Sequence, residues 1–128
     1  MTFATTTAAL ALSGSLLAGS PPASVSLQDP GTTPKIGAHW NYSITARSAA
    51  GKPAAAILTE QIMDPIGGVH PVQFGTSTKN ITNWPFKGTF RDFIIWPASS
   101  RGIPLQLRAI VKVGATKKVL TVTVTPHA

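Results

Sequence analysis

The sequence predicts an all-β fold, an antiparallel sandwich of short strands, and three observations carry that expectation. After residue 36 apolar residues recur with a period of two. No long segment spaces them at helical intervals, and turn residues return about every 8 to 12 positions. Eleven Gly and eleven Pro among 128 residues agree, because helix interiors tolerate neither.

The chain is long enough for one domain of ordinary size. Its first 28 residues carry no charged side chain. The apolar run at residues 8–18, broken by Ser13, Gly14 and Ser15, falls short of the ~20 residues that a transmembrane helix needs. Together with the small residues Ala18, Gly19, Ser20, Ala23 and Ser24, the run reads as a secretory signal over residues 1–23, although no Lys or Arg precedes it. A disordered Ala/Thr/Ser tail is the other reading. The signal reading places the protein outside the cell or in the cell envelope. Residues 24–35, with Pro30 and Pro34 set among Ser, Thr and Gly, read as an extended linker, and the folded domain is expected over residues 36–128.

Within the domain, residues 39–46 set Trp40, Tyr42, Ile44 and Ala46 against Asn41, Ser43 and Thr45, the pattern of a half-buried strand. Residues 55–63, rich in Ile, Leu and Thr, form the next, and Asp64-Pro65-Ile66-Gly67-Gly68 turns the chain. Residues 69–75 hold Pro71, which cannot donate to a ladder, so this strand belongs at an edge or a bulge. The stretch with Ile81, Trp84 and Phe86 is polar and Pro-containing and fits no single element. Residues 89–96 are a strand closed by Pro97, and their Phe90, Phe93 and Trp96 are expected in the core. Residues 104–113 and 119–125 form a hairpin about a turn at 114–117, with Leu107, Val111 and Val122 facing in. Ile44 and Ile62 complete the expected core.

The stretch YSITARSAAGKPAAAILTEQI, residues 42–62, resembles the opening of a bacterial immunoglobulin-like module of the invasin and intimin kind and of the related carboxypeptidase-regulatory sandwiches. Gly51-Lys52-Pro53 stands where that family has its Gly-x-Pro turn, and the Thr/Val pattern at 119–125 resembles the family's last strand. Arg47 and Ser48 replace the usual acid before the turn, and Ala54 replaces the common Val. The resemblance implies an immunoglobulin-like β-sandwich of about seven strands, a passive exported module for adhesion, spacing or carbohydrate contact.

Catalysis finds little raw material. Zero Cys removes disulfides, thiolate metal sites and a Cys nucleophile. Of four acids, only Glu60 and Asp64 are neighbours, and Asp64 suits a turn. His39, His70 and His127 stand at no ligand spacing, and no G-x-S-x-G elbow or phosphate loop occurs. No metal, cofactor or enzymatic activity is expected.

The charge balance is more informative. Eleven cations against four acids give a net charge of +7, suited to an anionic cell-surface polymer, a glycan or another protein. The leading reading is an exported, non-enzymatic structural or interaction module, and the second a carbohydrate- or wall-polymer-binding module using exposed aromatic and basic residues. The cations are scattered rather than clustered, which argues against nucleic acid and leaves a basic nucleic-acid binder as the third. One segment interleaves cations with aromatics, and its Trp84, Lys87 and Arg91 form the candidate ligand-binding surface.

Overall fold

The computed structural model describes residues 23–128. Eight strands, all paired antiparallel, make two sheets: β1 Ser24–Gln28, β2 His39–Arg47, β3 Ala55–Met63, β4 Val69–Pro71, β5 Trp84–Lys87, β6 Thr89–Ile95, β7 Leu105–Val113 and β8 Thr116–Val124. A 3-10 turn at Ala98–Ser100 joins β6 to β7. One sheet runs β1-β2-β6; the other runs β4-β3-β7-β8, with β5 also paired to β3. The signal expected over residues 1–23 lies outside the described residues except for Ala23.

Period-two patterning sorts each strand into an inner and an outer face. On β2 the inner residues are Trp40, Tyr42, Ile44 and Ala46, all buried. On β3 and β7 they include Ala56, Leu58, Leu107, Ala109 and Val111, and these two rows close the core from the other sheet. Each fully buried aliphatic side chain stabilises the fold by about 1.5 to 3 kcal/mol. Of the expected core residues, Ile44, Leu107 and Val111 are fully buried, and Ile62 and Val122 pack partly buried against them.

Three expectations are corrected. Residues 24–35 are not a free linker. Their first five form β1, paired with β2 from Ser24↔Arg47 to Gln28↔Ser43, with Val25 and Leu27 packed against the core. Beyond Pro30 the chain changes sheets: the amides of Thr125 and His127 donate to the carbonyls of Thr32 and Pro34, and Ile36 donates back to His127. Pro30 and Pro34 thus mark a strand crossing between sheets, which composition alone cannot separate from a linker.

The ambiguous stretch contains β5, a strand of four residues that binds one end of β3 while β4 binds the other. The core assignment fails for Phe93, because period two places it opposite Phe90 and Trp96. Those two are buried, whereas Phe93 stands on the outer face with its ring 3.9 Å from that of His39 and nearly parallel to it.

Candidate functional site

Trp84, Lys87 and Arg91 do not assemble into one surface. Trp84 lies opposite Leu58 in the β3–β5 ladder and so faces inward. It is half-buried, edge-on to Phe74 with ring centroids 4.9 Å apart, and Lys79 Nζ lies 5.1 Å from its ring centroid. Lys87, opposite Ala55, points outward from the same strand. Arg91 belongs to the other sheet, opposite Ser43. Between Lys87 and Arg91 the chain passes from one sheet to the other at Gly88, whose φ is +78°. Gly88 receives the Ala46 amide and donates to Ala54, which in turn donates to Ala46.

Register assembles a different set of cations. Across β3, β7 and β8 the outward rows are Ile57–Lys112–Lys117, Thr59–Ile110–Val119 and Gln61–Arg108–Thr121. Lys87 shares this face, because its partner Ala55 is two residues from Ile57 and points the same way. The outer face of the five-stranded sheet therefore carries Lys87, Arg108, Lys112 and Lys117. Around them are exposed Ile57 (41%) and Val119 (50%). Residues 112 and 117 look unrelated in sequence, but the tight β7–β8 turn sets them side by side. The sequence signal was the alternation of Gln106, Arg108, Ile110 and Lys112, whose meaning depends on the neighbouring strands.

No acid offsets that face, because each of the four acids is engaged elsewhere. Asp29 accepts from the Gly31 amide at 2.8 Å, and Asp92 accepts from the Gly75 amide at 3.1 Å through both oxygens. Asp64 organises the β3–β4 turn, accepting from the amides of Ile66 (3.0 Å) and Gly68 (2.8 Å) and lying 2.8 Å from His70 Nε2. These bonds, led by the one to His70, hold its carboxyl below the usual range.

Glu60 is 1% exposed between the sheets, and its Oε1 accepts from the Tyr42 hydroxyl at 2.6 Å. Burial, with a smaller contribution from Asp92 and opposed by the Tyr42 bond, pushes its pKa up to about 8. Burial and the adjacent Glu60 also drive the Tyr42 phenol far above its usual range. The Tyr42–Glu60 bond joins β2 to β3 across the core and leaves Glu60 Oε2 buried with no partner among the described residues; at 1% exposure the carboxyl is closed to a substrate. The Glu60–Asp64 pair considered from sequence thus divides into an interior clasp and a turn former.

No protein-family model matches the chain, and no curated protein matches it. Among solved structures, one similarity is to an alkylpurine DNA glycosylase from Pseudomonas fluorescens bound to DNA containing an abasic site analogue. It is 14% identical over 83% of this chain and 30% of that one, with a TM-score of 0.45. Another is to a DUF4466 family protein from Parabacteroides merdae, 17% identical over 82% of this chain and 44% of that one, with a TM-score of 0.38. The chain therefore spans less than half the length of either structure.

Proposed function

We propose that this chain is a non-enzymatic, exported interaction module of immunoglobulin-like architecture that holds an anionic cell-surface polymer against the outer face of its five-stranded sheet. The observation that carries the reading is the acid-free outer face of this sheet, which carries Lys87, Arg108, Lys112 and Lys117. Lysine suits a flexible polyanion, since a compact ammonium on a long stem needs no fixed partner geometry.

The architecture is supported by strand order. Strands one, two and six form one sheet, and strands three, seven and eight form the heart of the other. Apart from the added β4 and β5, this is the division of A, B and E from C, F and G in immunoglobulin-type sandwiches. The charge-free segment before Asp29 supports export.

Retention on immobilised poly(glycerol phosphate), compared with neutral dextran, tests the function. The full chain is expected to bind the polyanion at low salt and elute as salt rises, and a Lys112→Gln/Lys117→Gln chain of unchanged melting temperature to elute earlier. Equal retention on dextran, or an unchanged elution of the double variant, would contradict the proposal.

A further inference from the structure

The opposite sheet carries a second feature, independent of the lysine face. On the outer side of β1-β2-β6 the register sets Gln28, Ser43 and Arg91 in one row across all three strands. The next row pairs Asn41 with Phe93, and beside it the chain turns at Asp29 and Pro30. These residues line an open depression of about 650 Å³.

Its walls differ chemically. Arg91 and Phe93 stand on one side, Gln28 and Asp29 on the other, and Asn41 and Ser43 form the floor. Gln28 is committed, donating to Ser26 at 2.9 Å and accepting from the Ser43 hydroxyl at 3.1 Å. One Asp29 oxygen accepts from Gly31. Among the described residues, the Arg91 guanidinium and the Asn41 amide have no side-chain partner. Phe93 is held upright between the parallel His39 ring and Gly75, where an added Cβ would come within 2.6 Å of the Phe93 ring.

We infer that this depression binds one carboxylate-bearing sugar residue of a polysaccharide. The planar fork of Arg91 matches a carboxylate through two parallel hydrogen bonds. Asn41, which both donates and accepts, and the oxygens of Ser43 and Asp29 take the sugar hydroxyls. The edge of the Phe93 ring, whose two faces are covered by His39 and Gly75, borders the depression with apolar surface. Arg91 is the single cation in the lining and balances one negative charge, which favours a monoanion rich in hydroxyl donors over a doubly charged phosphate. The open shape admits an internal residue of a polymer.

The test is calorimetric titration of the full chain with trigalacturonate, a hyaluronan tetrasaccharide and sialyllactose, at physiological salt. To separate this site from the lysine face, each is repeated in the Lys112→Gln/Lys117→Gln background, where saccharide binding is expected to be unchanged. Arg91→Lys keeps the charge but loses the fork, and is expected to weaken binding about tenfold or more with the melting temperature unaltered. Asn41→Ala is expected to weaken it as well, and esterifying the sugar carboxylate to abolish it. The inference is overturned if none of the three saccharides binds at millimolar concentration, if Arg91→Lys binds like the parent chain, or if the esterified or a phosphorylated sugar binds as well as the free acid.

Discussion

Glu60 shows how one side chain can set the pH response of the molecule. In the unfolded chain its carboxyl ionises near 4.5, whereas in the fold it keeps its proton up to about 8. Between those values the folded state binds the extra proton. Its stabilising contribution is therefore complete below the unfolded value and is lost as pH rises toward the folded one, at about 1.4 kcal/mol per pH unit. Tyr42 and Asp92 are the titratable groups coupled to it, and neither supplies a positive charge. Asp64 acts in the opposite sense and at acid pH, because its pKa is lowered. Glu60→Gln keeps an acceptor for Tyr42 and removes the titration. Denaturant unfolding between about pH 5 and 8 is expected to show the parent chain losing stability relative to this variant; parallel profiles would refute the clasp. Leu107, fully buried opposite Ile62 and Val122, is the matching apolar probe. Leu107→Ala is expected to cost about 2 to 5 kcal/mol in the same measurement. Trp84→Ala is expected to lower the melting temperature and leave polymer retention unchanged, because the indole packs on Phe74 instead of facing a ligand.

Among the elements, β1 departs most from its sequence reading and has the clearest consequence. It covers the outer edge of β2 along five residue pairs, and the chain after it covers the end of β8. A chain beginning at Lys35 loses the apolar contacts of Val25 and Leu27 and leaves β2 as a bare edge, a template for association. Such a truncation is expected to lose its cooperative thermal transition or to self-associate, whereas one beginning at Ala23 is expected to melt like the full chain. Thermal melting with light scattering on the two truncations checks this. The strands at 39–47, 55–63, 89–95 and 105–113 were legible to within a residue or two, since nine or seven alternating positions leave little doubt about period. The short strands were not. Three residues of β4 and four of β5 hold too few alternations to show a period, and their pairing with opposite ends of β3 is a long-range property.

For the whole molecule, the net charge of +7 was plain from composition, and its distribution was not. Charges on one exposed face act together within a Debye length of about 8 Å at physiological salt, while those on the opposite face of the sandwich are screened from them. Hence four cations on the five-stranded sheet are expected to govern polymer retention. In the same salt-elution measurement, Arg91→Gln on the other sheet should have little effect. If it matches the effect of the Lys112→Gln/Lys117→Gln pair, general charge would replace the face as the explanation. Strand class, most strand faces and most of the core follow from the sequence, because period-two alternation is a local property and burying one face is the main driving force available to it. Tertiary structure alone decided that Trp84 turns inward, that Lys87 and Arg91 part at Gly88, that Lys112 and Lys117 stand side by side, and that Glu60 meets Tyr42 across the core. Each depends on which strands become neighbours and in what register, and those pairings join residues far apart in the chain.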